Sequence, residues 1–167
     1  MTGTTPSSPA PSETFRVEPT LDVGLCVDLR MDFFAAMGIV MEPDAAGEMR
    51  QANLAYFQQG VGDGSVGVWV AWVGEELAGC VMLQEQRMIP NRAVPTGRTG
   101  MVLNVHVLDG FRRRGIGEAL MLEVQAEGVR RGLDRLDLKA SEMGKALYRR
   151  LGWGDPRGGR PMEFSLL

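Results

Sequence analysis

A short basic and glycine-rich segment has the residue types and spacing that bind phosphate. Three arginines, Arg112, Arg113 and Arg114, are followed directly by Gly115-Ile116-Gly117, between a β-patterned run and a helix-patterned run. A helix that begins after such a turn presents unpaired backbone N–H groups and the positive end of its dipole, which favour an anion. The pattern predicts a phosphate or pyrophosphate site, although a solvated turn can have the same composition.

Spacing excludes two common phosphate-binding loops. The chain has no Gly-x-x-x-x-Gly-Lys-Ser/Thr segment. A Gly-x-Gly-x-x-Gly fingerprint would need a third glycine at the position of Leu120. The loop therefore belongs to another class of phosphate site.

Composition narrows the class of protein. The chain has 167 residues, 44% of them hydrophobic, which predicts a single domain with its own core. The formal net charge of −3 argues against nucleic acid as the partner, because such proteins usually carry a broad basic face. Cys26 and Cys80 are the only cysteines and have no metal-binding spacing, so we predict reduced, buried thiols and no metal.

The start of the chain differs from the rest. Its first twelve residues are rich in Pro, Ser and Thr and have neither the basic start nor the apolar core of a secretory signal. We expect residues 1–13 to form a disordered tail and residues 14–167 to form one domain. No apolar run approaches the ~20 residues that span a bilayer, so we expect no membrane segment and a cytoplasmic location.

The elements that must position the loop follow from hydrophobic periodicity. The first half predicts a strand, two helices and a β-hairpin with a short glycine turn. The second half predicts a loop, a central strand, a helix that ends at Gly132, a short strand, a short helix and a last strand. The central strand, helix and strand span about 40 residues, a crossover that makes two strands of a mixed sheet parallel. The predicted strands cover residues 15–17, 66–73, 77–83, 101–108, 136–139 and 162–166. The predicted helices cover residues 21–34, 43–60, 116–131 and 141–151.

Two separate segments resemble the GNAT N-acetyltransferases. The run over residues 107–117 is similar to the acetyl-CoA motif of that family, Arg/Gln-x-x-Gly-x-Gly/Ala, with Arg112, Gly115 and Gly117 at its fixed positions. Residues 147–153, Leu-Tyr-Arg-Arg-Leu-Gly-Trp, resemble the Leu-Tyr-x-x-x-Gly-Phe/Trp segment of the family at the usual distance downstream. The specific part of the resemblance runs from Asn104 to Trp153.

The resemblance implies a fold and a co-substrate. The fold would be α/β (α+β), with a central mixed, mostly antiparallel sheet of about six or seven strands and about four flanking helices. The parallel fourth and fifth strands would splay to hold CoA. The resemblance implies acetyl-CoA as the co-substrate and an amine as the acceptor, with no metal, and allows a homodimer.

It also implies which residues contact the cofactor. In the family the fourth strand pairs with pantetheine, and the loop amides hold the pyrophosphate. Ser141 stands where the family usually has Asn, and it can bind the cofactor or only cap its helix. The implied cofactor-binding residues are Val105, His106, Val107, Arg112, Arg113, Arg114, Gly115, Ile116, Gly117, Ser141 and Tyr148.

The resemblance implies a catalytic role for Tyr148, while residue type and position on the strands suggest the general base. Tyr148 matches the family tyrosine that protonates the departing thiolate, and its alternative is a core tyrosine. His106 and Glu85 are the candidate general bases, with Glu142 a weaker one and a water chain as the alternative. The acceptor pocket is expected between residues 38–43 and 87–99, where Met37, Met41, Met88 and Ile89 could line it.

The expected function is therefore transfer of an acetyl group from acetyl-CoA to a primary amine of a small molecule or peptide. A non-catalytic acyl-CoA-binding sensor or scaffold is the alternative, since the family Asn is absent and no base is obvious. A third interpretation, an RNA-binding patch formed by the arginines, is disfavoured by the acidic balance.

Overall fold

A computed structural model of the chain describes residues 14–156. The predicted tail, residues 1–13, and the predicted last strand, residues 162–166, lie outside the described part. In chain order the elements are β1 (Phe15–Pro19), α1 (Val23–Ala36), α2 (Pro43–Gly62), β2 (Val66–Val73), β3 (Glu76–Arg87), β4 (Arg98–Val107), a 3-10 turn (Asp109–Phe111), α3 (Ile116–Arg130), β5 (Arg135–Leu138) and α4 (Lys145–Arg150).

The strands form one mixed sheet in the order β1-β2-β3-β4-β5. The first four strands are antiparallel, and β4 and β5 are parallel over Thr99 to Val102 and Arg135 to Leu138. The mixed sheet and the parallel pair confirm the predicted fold class. The described residues contain five strands, where six or seven were expected for the whole chain.

Helices α1 and α2 cover one face of the sheet. Asp22 caps α1 by accepting a hydrogen bond of 3.0 Å from the Leu25 N–H, and the buried stripe of the helix begins after this cap. Leu21, which the periodicity included in that stripe, precedes the cap and is exposed. The core on this face joins Cys26, Val27 and Leu29 of α1 and Phe57 of α2 with Val66, Val68, Val70, Cys80 and Met82 of the sheet.

Helices α3 and α4 cover the opposite face. Ile116, Leu120 and Val124 recur at four-residue intervals along α3 and, together with Met121, are fully buried. Each such side chain contributes on the order of 1.5–3 kcal/mol through burial. They pack against Trp69, Val81, Leu83 and Val102 of the sheet and against Tyr148 of α4.

Strands β3 and β4 are both longer than predicted. Their register continues to Arg87 opposite Arg98, so the last three residues of the loop predicted over residues 89–100 belong to β4. Gly100 belongs to the strand because a Cβ there would lie 2.6 Å from a methyl group of Leu136 and 2.7 Å from one of Leu83. Close packing, and not a turn, requires this glycine.

Candidate functional site

Strands β4 and β5 separate after a short parallel stretch. Their pairing ends at Val102 and Leu138, while β4 continues to Val107 with β3 on its other side. Within residues 14–156 no strand covers the β5-facing edge of residues 103–107. Alternate peptide groups on such an edge point outward unpaired, which suits an extended ligand that carries amides.

A β-bulge at Asn104 interrupts the open part of β4. Cys80 and Met82 are two positions apart on β3, whereas their partners His106 and Leu103 are three positions apart on β4. Asn104 takes up the extra residue with a φ of +50°, a left-handed conformation that Asn tolerates better than most residues. The bulge redirects the backbone groups that follow it along the open edge.

The side chain of Asn104 fastens this bulge to α1. Although it is almost fully buried, both ends of its amide are used. Its Nδ2 donates to the Leu29 carbonyl at 3.1 Å, and its Oδ1 accepts from the Arg30 guanidinium at 2.5 Å. A polar Asn between the apolar Leu103 and Val105 was the available sequence signal for this link.

The arginine loop returns toward the end of β4. The Arg112 Nε donates to the Val107 carbonyl at 3.1 Å, and the same guanidinium pairs with Asp109 at 2.7 Å. Arg114 donates to the Gly110 carbonyl and lies against the Phe111 ring. These two side chains therefore support the loop itself. Arg113 has a φ of +63° and is exposed.

The backbone after the arginines begins α3, where the sequence predicts an anion site. Gly115 caps the helix in a left-handed conformation with a φ of +83°, and no side chain caps the first turn. The N–H groups of the first turn are therefore available to a ligand. A phosphate at this position would be held mainly by backbone amides, because Arg112 and Arg114 contact the loop.

Tyr148 lies on the α3 face of the sheet. Its side chain is buried in the core of that face, and its ring centroid lies 6.4 Å from that of Trp153. Burial raises the pKa of the phenol above its ordinary value. The hydroxyl therefore retains its proton at neutral pH, as a proton donor must.

His106 lies on β4 and faces α1, so it and Tyr148 are on opposite faces of the sheet. Its imidazole contacts the Phe33 ring edge-on, with 6.1 Å between the centroids. Burial lowers the pKa of His106, and the positive charge of Arg112 lowers it further, against the opposing carboxylates of Asp109 and Asp32. The imidazole is therefore neutral near pH 7 and can accept a proton.

The sequence matches the family model described as the acetyltransferase (GNAT) family over residues 28–153. The chain belongs to the GNAT acetyltransferase family. The match covers most of the chain and includes the open edge of β4, the arginine loop and Tyr148. It confirms the family resemblance of the two segments.

Solved structures of GNAT proteins have the same fold. A GCN5-related N-acetyltransferase from Ralstonia eutropha JMP134 is 28% identical, with a TM-score of 0.74 over 89% of this chain and 99% of that one. An acetyltransferase from Clostridium acetobutylicum, solved with acetyl-CoA, is 19% identical, with a TM-score of 0.79 over 90% and 96%. Glucosamine-6-phosphate N-acetyltransferase from Arabidopsis thaliana is 15% identical, with a TM-score of 0.68 over 92% and 100%. No curated protein matches the sequence.

Glu85, the second candidate base of this GNAT domain, does not lie beside His106. It pairs with Gly100, six positions before His106, which corresponds to roughly 20 Å along the strand. Its carboxylate accepts a hydrogen bond of 2.9 Å from the Arg98 Nε, and this bond lowers the pKa of Glu85. The structure thus places Glu85 in an ion pair at the far end of β4.

Ser141 begins the turn that precedes α4. Its Oγ accepts a hydrogen bond of 3.2 Å from the Gly144 N–H, and Ser141 is exposed. Helix α4 begins four residues later, at Lys145, with Gly144 as its N-cap and no side chain capping it. The alternative role of Ser141 as the cap of this helix is therefore wrong, and its contact with the cofactor stays a prediction.

A cavity of about 240 Å³ lies between α1, α2 and the sheet of this GNAT domain. It is separate from the loops where the acceptor pocket was expected, and Met37 and Ile89 in or beside those loops are exposed. Burial and the nearby Asp63 carboxylate raise the pKa of Tyr56 at its rim. The lining residues are Arg30, Asn53, Tyr56, Phe57, Val66, Met82, Gln84 and Leu103.

The described part of the chain has neither a metal-binding cluster nor a membrane-spanning helix. No group of three or more His, Cys, Asp or Glu side chains there could hold a metal ion. None of its helices is long and apolar enough to cross a membrane.

Proposed function

We propose that this GNAT protein transfers the acetyl group of acetyl-CoA directly to the primary amine of a small molecule or peptide. One observation carries the proposal: a single loop, residues 108–115, connects the unpaired end of β4 to the uncapped start of α3. An amide-bearing arm and a pyrophosphate, joined as they are in CoA, would follow this path. The family match supports the same donor.

The donor would be held largely by backbone groups. The pantetheine amides would pair with the open edge at Val105, His106 and Val107, like an added strand. The pyrophosphate would accept hydrogen bonds from the first-turn amides of α3, with Arg113 adding positive charge at the exposed side of the loop. Gly115 supports this arrangement because its φ of +83° strains other residue types.

The transfer step needs one proton donor and one proton acceptor. The amine nitrogen forms a bond to the thioester carbonyl carbon, the carbon–sulfur bond breaks, and the Tyr148 hydroxyl gives its proton to the departing thiolate. Tyr148 recovers a proton from solvent, and the proton of the amine goes to a base. A β4 N–H near the bulge would stabilise the charge that develops on the carbonyl oxygen.

His106 fits the role of base better than Glu85. It lies on the open part of β4, and its lowered pKa keeps the imidazole neutral. Glu85 is engaged by Arg98 at the other end of the strand. The amine would then approach from the α1 face, while Tyr148 acts from the α3 face.

The direct test measures thiol release from acetyl-CoA against a panel of amines, amino acids, peptides and amino sugar phosphates, the last suggested by the Arabidopsis relative. Tyr148→Phe should lower kcat about 100-fold while the acetyl-CoA dissociation constant changes little, because the hydroxyl acts in the transition state. Unchanged kcat with a working acceptor would remove Tyr148 from the mechanism.

Thiol release together with a binding measurement tests the non-catalytic alternative. Calorimetric binding of acetyl-CoA without thiol release from any acceptor would favour a sensor or scaffold. Acceptor-dependent release of CoA excludes that alternative. Failure to bind acetyl-CoA would contradict both functions.

A further inference from the structure

Arg30 of α1 is held in a fixed place on the α1 face of β4. Its guanidinium lies 4.3 Å from the Phe34 ring centroid and 5.9 Å from that of Phe33. One of its nitrogens donates to the Asn104 Oδ1 at 2.5 Å. Stacking and this bond orient the planar group, so its remaining N–H groups have a defined direction.

This guanidinium has no counter-charge in residues 14–156. No carboxylate of that part lies within 4 Å of it, and its bond to Asn104 is its one hydrogen bond there. Arg50, on the neighbouring helix, instead pairs with Asp28 at 2.6 Å. A half-buried cation without a counter-charge is unfavourable, and an anionic ligand would reduce that cost.

The free side of Arg30 faces a cavity suited to a small ligand. The cavity volume of about 240 Å³ is several times the ~30 Å³ that one water molecule occupies in the liquid. None of the lining residues is acidic, and Asn53, Tyr56 and Gln84 add neutral polar groups around the guanidinium. A small molecule with one anionic group fits this composition.

The cavity also lies close to the proposed acetyl donor. Asn104, which holds Arg30, directly precedes Val105, where the open edge would meet the pantetheine arm, and consecutive Cα atoms are about 3.8 Å apart. An anion bound by Arg30 would therefore place the rest of a short molecule within reach of the thioester. The amine and the anionic group of that molecule would be separated by a short chain.

We propose that Arg30 recognises the acceptor, by binding the carboxylate or phosphate of a small primary amine. The planar guanidinium can give two parallel hydrogen bonds to either group. This proposal rests on the acetyltransferase function above and specifies its substrate class. Polycationic amines should be poor acceptors because Arg30 repels them.

Matched amines test the proposal by steady-state kinetics. β-Alanine is compared with β-alaninamide and phosphoethanolamine with ethanolamine, so that each pair differs in one anionic group, and spermidine serves as the polycation. We expect the anionic member of at least one pair to have a kcat/KM at least about tenfold higher, equivalent to about 1.4 kcal/mol. The pair that shows the preference distinguishes carboxylate from phosphate.

Three variants assign that preference to Arg30. Arg30→Gln should abolish it, mainly by raising KM for the anionic amine, and Arg30→Lys should keep part of it because the charge remains. Arg50→Gln is the matched control, and it should keep the full preference because Arg50 pairs with Asp28 away from the cavity. If Arg30→Gln does not fold, Arg30→Lys carries the test through its weakened preference. A preference that is undiminished in the folded Arg30 variants would overturn the proposal.

A binding measurement separates failure of this proposal from failure of the transferase function. N-Acetyl-β-alanine and its amide are titrated into the protein with CoA present, and binding is followed by NMR. Tighter binding of the acid by the wild type, lost in Arg30→Gln, would support the anion site even if no amine were acetylated. Equal turnover of charged and neutral amines would overturn the site. If nothing is acetylated, the site would be overturned when both probes bind equally or when neither binds.

Discussion

The two sides of the outer half of β4 are built from different parts of the chain. The β5-facing edge and the loop that follows it are nearly continuous in sequence, and they offer mainly backbone N–H and C=O groups. The α1-facing side instead collects side chains from α1, α2, β2, β3 and β4 around one cavity. We propose that the first side binds the donor and the second the acceptor.

This difference explains why the sequence indicates the proposed donor site but not the proposed acceptor site. A backbone site tolerates many side chains but depends on a few glycines at fixed spacing, so it leaves a recognisable motif. A side-chain site depends on residues that are distant in sequence, such as Arg30 and Gln84. Changes to the first side should therefore act through main-chain conformation, and changes to the second through charge and hydrogen bonds.

The largest effect is expected at Gly115 on the donor side. Gly115→Val forces a β-branched residue into a φ of +83°, and the loop must rearrange. We expect the acetyl-CoA dissociation constant to rise about 100-fold, or about 2.7 kcal/mol, by calorimetry. Gly110→Ala is the control, because a Cβ there would meet no atom within 4 Å. Unchanged affinity in Gly115→Val would mean that this turn does not hold the donor.

The next effect is expected at Asn104, where the two sides meet. Asn104→Ala removes both hydrogen bonds to α1 and leaves a less tolerant residue at a φ of +50°. We expect the free energy of unfolding in urea to fall by about 2 kcal/mol. Asn104→Gly keeps the backbone freedom but loses the same bonds. If Asn104→Gly is as stable as the wild type, the link to α1 contributes nothing to stability.

A smaller effect is expected at Gly144, which lies under the ring of Tyr148. A Cβ at Gly144 would lie 2.6 Å from the Tyr148 Cε2 and 2.9 Å from its Cζ, so Gly144→Ala must displace the ring. We expect kcat to fall about tenfold, or about 1.4 kcal/mol, with little change in acetyl-CoA affinity.

The control for this change is Gly47→Ala on α2, where a Cβ would meet no atom within 4 Å. Its kcat should equal that of the wild type, and the added helix propensity should stabilise it slightly. Wild-type kcat in Gly144→Ala would show that the position of the Tyr148 ring does not limit turnover.

The smallest effect is expected from the titration of His106. Burial lowers the pKa of His106 in the folded state below its ordinary value of 6.5, so at mildly acidic pH the unfolded chain binds the additional proton. Stability from this group is therefore complete above the unfolded pKa and decreases as the pH falls toward the lower folded pKa.

Unfolding in urea at about pH 7.5 and about pH 5.5 measures this dependence. His106→Gln should lose less stability between the two pH values than the wild type does. An equal loss in both proteins would show that His106 titrates alike in the folded and unfolded chains.

Local patterns predicted most of the described fold. Helical spacing of apolar residues located α1 and α3, and alternation with a glycine turn located the β2–β3 hairpin. The predicted start of β4 was wrong because a glycine in this position is typical of a turn. Gly100 is instead required by close packing against Leu136 and Leu83. The bulge at Asn104 was missed because strict alternation left no place for an extra residue.

The candidate site likewise has one part that the sequence located and another that it did not. The position of the arginine loop at the start of α3 followed from its glycines and the helix pattern behind it. Glu85 was a candidate base by residue type alone, and the sheet register then placed it beside Arg98. Arg30 gave no sequence signal, since an arginine on a helix is usually solvated.

The sequence by itself determined the mixed sheet, the helix that follows the glycine turn and hence the start of the donor path. These features depend on residues close together in the chain, where periodicity and backbone freedom act directly. Only the tertiary structure decided where β5 leaves β4, that Asn104 joins the bulge to α1, and that Arg30 faces the cavity. Asn104 and its α1 partners, for example, are more than 70 positions apart in the chain. Packing between residues so far apart leaves no local pattern in the sequence.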